Sequence, residues 1–389
     1  MKAQNGLEKA CFYVFLLYIL SYSVETLFDI PFLGNRIMLP ELVFLLFMFL
    51  SCIYFLKSKI YQQIHQIRLK SFDLGVLIYF FSVLISFFVN QKRTALGEVF
   101  AAGYYLTLYF LLILLFQDQH KRIYKVFLKS MLVCGLLAAV FAIGFYIYSD
   151  LTGQIYRVWA YEKFPLIGDT IRASGFNRYP AYLADHAIVS IFVSFVLFFR
   201  KEISRNQAII SVIILWTCAI LAKEKSNIIL LGLILYFLPL FFDYQRFVKI
   251  FFKISGIVLI VFYLFFTNFM IIKNIQNSPF PRYDYLWTVE LGDFHFLIES
   301  TPYIDLKKAC LIGFSESPFV GIGGGSLGPY SHLLHQRGLI LLPNVSAHST
   351  VFGILGELGL MGFLSFIFIL FNVYKSLKKY VKGSEKRFI

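Results

Sequence analysis

The chain has 389 residues, of which 59% are hydrophobic, 19% aromatic and only 15% charged. A water-soluble domain carrying 46 Phe and 25 Tyr would expose large apolar patches, so the composition excludes one and points to an integral membrane protein. The formal net charge of +14 would suit a nucleic-acid binder, but the basic residues follow the loops on one side of the apolar runs, which is a topology signal.

Apolar runs long enough to cross a bilayer recur along the chain. They lie near residues 10–24, 37–56, 72–89, 98–116, 131–149, 182–199, 208–222, 227–242, 254–271 and 350–374. The expected fold class is therefore an all-α polytopic bundle of about ten spans, with 10–12 as the range, making one integral membrane domain over residues 1–389. The first run, CFYVFLLYILSYSV, follows a short charged segment and lacks a small-residue cleavage site, so it reads as a span. With ten spans both termini share one side. Placing them in the cytoplasm puts most Lys and Arg on the inner segments, including the tail KSLKKYVKGSEKRF. The five cysteines are scattered and mostly sit in apolar runs, so neither a disulfide nor a metal site is expected.

Two long segments then face outward, residues 150–181 and 272–349. Both are rich in Trp, Tyr, Phe, Pro and Gly, which is not the composition of a disordered chain. Within the second, TPYIDLKKACLIGF places Tyr303, Leu306, Cys310 and Gly313 on one helical face, with Asp305, Lys307 and Lys308 off it. A short lid or interfacial helix is expected there. Between the seventh and eighth runs, KEKSN interrupts a stretch slightly too short for two full spans. Its charged tip is therefore drawn below the outer surface, where it either snorkels or lines a wet vestibule.

Three motifs carry chemistry. DTIRASGFNRYPAYLAD sets Arg172 and Arg178 at a membrane edge with Asn177 between them. Guanidinium forks suit phosphate oxygens, although basic residues also anchor helix ends in headgroups. SPFVGIGGGSLGPY could present backbone N–H groups to an anion or be a plain flexible loop; it lacks the Gly-Lys-Ser/Thr ending of a P-loop. His332 and His335 lack the companions a metal site needs. In NVSAHSTVFGILGELGLMG, His348 stands at the membrane edge, where it serves either as a general base or as an interfacial cap. Glu357 lies two turns inside the run. On a continuous helix nine residues put it on the opposite side from His348, so it suits packing or a cavity better than an acid–base pair. Gly353, Gly356, Gly359 and Gly362 form a small-residue stripe for close helix packing.

RASGFNRYPAYLA, SPFVGIGGGS and AHSTVFGILGELGLMG, in that order, resemble the motifs of the O-antigen polymerase and ligase family. The resemblance spans roughly residues 172–362. Two positions depart from it. The family's Ser–Arg–Gly-like turn reads EKSN here, putting Lys225 in place of the arginine. An arginine expected near Tyr303 is missing, with Arg282 upstream as the compensating candidate. The resemblance implies a C-type membrane glycosyltransferase that is metal-independent, inverting and free of cofactors. It also implies an undecaprenyl-diphosphate-linked glycan as donor and acceptor in the bacterial cytoplasmic membrane, with a chain-length regulator as protein partner. His348 would be the base; Arg172, Arg178, Lys225 and Arg282 would hold the diphosphate and sugar; Asn177 and Glu357 would support them. Polymerisation of repeat units is the leading reading, with ligation to lipid A core as the alternative. A lipid-linked oligosaccharide flippase or transporter is the alternative of another class, against which stands the lack of a repeat between the two halves.

Overall fold

The computed structural model describes residues 2–32, 35–58, 70–91, 95–115, 120–164, 168–224, 227–237, 246–265, 269–272, 285–343 and 350–385. It is predominantly helical and divides into two compact units. One unit is residues 1–65 with 114–265, and the other is residues 66–113 with 266–389. Among the described residues, eight helices are long and apolar enough to cross a membrane. The fold is thus an all-α polytopic membrane protein, with short strands confined to the connections.

The first unit holds α1 (Lys2–Ser21), which passes through a 3₁₀ segment (Tyr22–Leu27) and a two-stranded hairpin, β1 (Asp29–Phe32) and β2 (Asn35–Met38), into α2 (Leu39–Ser58). It continues with α5 (His120–Thr152), the hairpin β3 (Val158–Phe164) and β4 (Gly168–Ala173), α6 (Pro180–Phe199), α7 (Arg205–Ala222), α8 (Asn227–Phe237) and α9 (Arg246–Phe265). The runs expected at 227–242 and 254–271 fall on α8 and α9, neither of which is among the eight. Three helices start well before their apolar runs, α1 at Lys2, α5 at His120 and α9 at Arg246, because Lys and Arg are good helix formers even where they end an apolar run. At the start of α5, Lys125 pairs with Glu202 at 2.5 Å.

The core of this unit is built from small residues. Ala138, Ala139 and Ala142 on α5, Ala184 and Ala187 on α6, and Ala219 and Ala222 on α7 are all buried around Leu183, Ile191 and Leu215. Within a bilayer, apolar burial drives helix association weakly, so close approach and dispersion must do it. Gly135 marks the tightest crossing: a Cβ there would lie 1.9 Å from Ser190 Oγ. Gly232 and Gly256 do the same for α8 and α9, each Cβ position falling against the other's carbonyl oxygen, at 2.8 and 2.4 Å.

In the second unit are α3 (Ser71–Asn90), α4 (Ala95–Leu115), a three-stranded antiparallel sheet ordered β5 (Phe269–Ile272), β7 (Phe294–Ser300), β6 (Tyr285–Leu291), then α10 (Thr301–Glu316), α11 (Leu327–Gln336) and α12 (Thr350–Glu385). The β6–β7 turn is two residues, Gly292–Asp293, with Gly292 at φ +59°, as a tight hairpin requires. Asp73 on α3 accepts the Lys70 N–H at 2.6 Å and the Tyr109 hydroxyl from α4, which fastens that helix pair.

Gly135→Val should collapse the detergent-solubilised protein's monodisperse gel-filtration peak, because overpacking costs about 1–3 kcal/mol where Ser190 leaves no room. Gly144→Val on the same helix, where a Cβ meets nothing within 4 Å, should leave the peak unchanged.

Candidate functional site

In the first unit the RASGFNRYP segment is clamped by residues from three other elements. Gly175, at φ +60°, lies against α5, where a Cβ would come within 3.1 Å of Ala142. Its N–H and the Ser174 hydroxyl both donate to the Arg157 carbonyl at 3.0 Å. From the 3₁₀ segment, the Thr26 N–H and hydroxyl donate to the Phe176 carbonyl at 3.0 and 2.6 Å. The Arg157 guanidinium donates to that hydroxyl at 2.8 Å and stands 5.0 Å over the Phe176 ring. Glu25 accepts the Arg178 backbone N–H. Asn177, 4% exposed, has no partner for its side-chain amide among the described residues. The Arg178 side chain is exposed and lies 5.3 Å over the Tyr179 ring, just before Pro180 opens α6.

Strand alternation on β4 points Thr170 and Arg172 the same way. Both meet the C-terminal end of α7. The Arg172 Nε donates to the Ala222 carbonyl at 3.0 Å, and its terminal nitrogen pairs with Glu224. The Lys223 ammonium donates to Thr170 and stands 5.7 Å from the Tyr146 ring centroid. Lys223 is in the left-handed region, φ +52°, the common way to end a helix, though usually with glycine. Burial pushes its pKa below the ordinary lysine value; Arg172 adds to the shift and Asp150 opposes it. Lys223 and Glu224 of KEKSN are therefore engaged with protein groups. Arg172, placed by the sequence on a diphosphate, already has a carboxylate partner.

In the second unit, the glycine-rich loop and the GELGLMG run form one structure. The Ile322 N–H donates to the Gly356 carbonyl and Gly323 to Glu357, both at 3.0 Å, while Leu360 donates to Pro318 at 2.8 Å and Met361 to Phe319 at 3.1 Å. This exchange needs a break in α12, and Gly359 supplies it at φ +64°, ψ −160°. A Cβ on Gly321 would sit 2.3 Å from the Glu357 carbonyl, and one on Gly359 would sit 2.6 Å from that of Phe319. On α10, Cys310 packs on Gly356, whose Cβ would fall 2.9 Å from Cys310 Cα. Burial pushes the Cys310 thiol up to about 12.

The expectation of a continuous helix with a uniform glycine stripe is thus corrected: Gly356 is a packing glycine, whereas Gly359 is the break. The N–H groups of the loop are also committed within the protein. The Glu357 carboxylate accepts Leu327 at 3.0 Å, together with the N–H groups of Gly325 and Ser326, so it caps α11. Its carbonyl takes the Ser86 hydroxyl at 3.2 Å, and Asn90 donates to the Gly321 carbonyl at 3.1 Å.

Asp305, read from helical phase as off the buried face of α10, is 5% exposed and accepts the N–H groups of Leu341 and Leu342 at 2.7 and 3.2 Å. Phase on one helix does not reveal a loop folding back over its other side. Lys225, Arg282 and His348 lie outside the described residues. Glu25, Thr26 and Arg157 carry no motif; only their partners mark them.

A helical bundle of this kind, with its polar residues gathered at helix ends and in the connections, defines a multi-pass membrane protein. Residues 209–367 match the family model described as O-antigen ligase, which supports a relation to the O-antigen polymerase and ligase family. Lys225, Arg282, His348 and Glu357 fall inside the matched region; Arg172, Asn177 and Arg178 precede it. No curated protein and no solved structure matches the chain.

Glu357→Ala strands the Gly325 and Leu327 N–H groups at the start of α11, each costing about 1–3 kcal/mol when left unsatisfied. Hydrogen exchange should accelerate across residues 322–336, with Glu357→Gln intermediate because it keeps one acceptor oxygen. Unchanged exchange in Glu357→Ala would refute the cap.

Proposed function

We propose that this protein polymerises undecaprenyl-diphosphate-linked repeat units into a surface polysaccharide, on the outer face of the bacterial cytoplasmic membrane, with both termini cytoplasmic. The observation that carries the reading is the convergence of Arg172, from the segment entering α6, with Lys223 at the end of α7, two positions before Lys225 in sequence. Within the matched region His348 precedes Thr350, the first described residue of α12, by two positions in sequence.

The chemistry assigned to these groups is a displacement. His348 takes the proton of the acceptor sugar hydroxyl as its oxygen attacks the donor's anomeric carbon. The new C–O bond forms on the face opposite the diphosphate, the old C–O bond breaks, and the configuration inverts. The departing diphosphate gains negative charge, which Arg172, Arg178 and Lys225 neutralise, with Arg282 binding diphosphate or sugar and Asn177 supporting them. Cations of fixed geometry do here what a metal does in other transferases, so the reading is metal-independent. A chain-length regulator is the protein partner that a polymerase would take.

The matched model's description favours a second reading, ligation of the glycan to lipid A core by the same donor chemistry. Complementation separates the two. In a polymerase-null strain, the wild-type chain should restore the polysaccharide ladder and His348→Ala should not, while single repeats remain on the acceptor. If restoration is seen only in a ligase-null strain, the ligase reading holds. A ladder unchanged by His348→Ala would refute the catalytic assignment, since loss of a general base costs about 10²–10⁴-fold.

Arg172→Lys keeps the charge but loses the fork. It should shorten or weaken the ladder in the same assay, and a normal ladder from Arg172→Ala would reduce Arg172 to an anchor.

A further inference from the structure

The ion pair between Arg172 and Glu224 joins two elements distant in sequence, β4 and the turn after α7. The two side chains are 15% and 25% exposed, so the pair is partly desolvated. Among the described residues around it, Arg172 and Lys223 supply two positive charges and Glu224 and Asp150 two negative ones, so these four groups balance. A site meant only to attract anions would leave the Arg172 fork uncompensated.

Its position makes the balance useful. The apolar span of α7 ends at Ala222, and Lys223 and Glu224 follow directly; charged residues that close an apolar span reach for the depth of the headgroups. Phosphatidylglycerol headgroups each present one phosphodiester carrying one negative charge. An uncompensated guanidinium fork at that depth would be filled by them, since Arg binds phosphate oxygens bidentately. A carboxylate already on the fork offers the same single charge at no entropic cost of association. A linked diphosphate presents two charges and more oxygens, and can win the exchange.

We propose that Glu224 is a specificity-determining residue: its carboxylate holds the place on the Arg172 fork that a phosphate oxygen of the lipid-linked donor takes. A diphosphate binds by displacing it, and a single phosphodiester does not. This rests on the reading of Arg172 as a ligand for the donor's diphosphate, and adds what guards that ligand. Released from Arg172, Glu224 turns to solvent or to Lys223, its neighbour in sequence.

The test is direct binding of undecaprenyl diphosphate to the full-length protein in nanodiscs, so that turnover is not needed. In discs of phosphatidylcholine, Glu224→Gln should bind about fivefold more tightly than wild type, the scale of a partly screened ion pair no longer broken. As phosphatidylglycerol replaces phosphatidylcholine, binding to Glu224→Gln should weaken progressively, while wild type holds its affinity. Glu224→Asp keeps the charge but withdraws it by one methylene. Displacement requires it to follow the Gln variant, whereas through-space repulsion alone would leave it like wild type and overturn the proposal. So would a Gln variant whose binding ignores phosphatidylglycerol. If the Gln variant fails to fold, the Asp variant decides by the same two readings. Arg172→Ala separates this from the parent reading: if it binds undecaprenyl diphosphate normally, the diphosphate assignment itself fails. If it binds poorly while Glu224→Gln and Glu224→Asp match wild type, only the displacement falls.

Discussion

The second unit depends on a backbone exchange between a loop and a broken helix. Residues 318–323 and 356–361 trade four hydrogen bonds, an arrangement closer to a strand pair than to a helix contact. In a membrane protein such an exchange is tolerated only where every freed polar group finds a partner. Here the freed carbonyls of α12 take loop N–H groups, and the α12 N–H groups past the break take loop carbonyls. Glu357 then serves twice, its carbonyl for Gly323 and its side chain for the start of α11.

The first unit solves a different problem by different means. Its helices approach through alanines and glycines, leaving little side-chain freedom to lose, and its outer turn is fastened by directional bonds. Thr26 is the hinge point of that fastening, donating to Phe176 while accepting from Arg157. The end of the first helix is thus part of the scaffold that presents Arg172 and Arg178, although nothing in its sequence announces the role.

Much was legible beforehand for identifiable reasons. Hydropathy over some twenty residues is a strong signal, so the membrane character, the helical class and most span positions follow from it. Pro180 marked the start of α6, and the lid-helix segment is α10. Less legible was whatever depends on a distant partner. The composition of KEKSN could not say that Glu224 meets Arg172, because that contact needs β4 and its register. The glycine spacing read as one uniform stripe gave no sign that Gly359 breaks α12 two residues after Glu357, because the break is defined by the loop it pairs with. The glycine run was read as a flexible loop or an anion nest. Its N–H groups do surround an anion, and that anion is the carboxylate of Glu357.

The break at Gly359 also changes what the two glycine motifs are. Gly321 is small because the Glu357 carbonyl passes 2.3 Å from where its Cβ would be, and Gly359 is small because Phe319 passes just as near. Each explains the other across a stretch of chain containing an entire helix. They make up one recognition signal written in two places, and a reader of either half alone finds only a common, uninformative spacing of glycines. Information of this sort belongs to a pair of positions, so it becomes visible only when the chain is folded or when both halves are compared together.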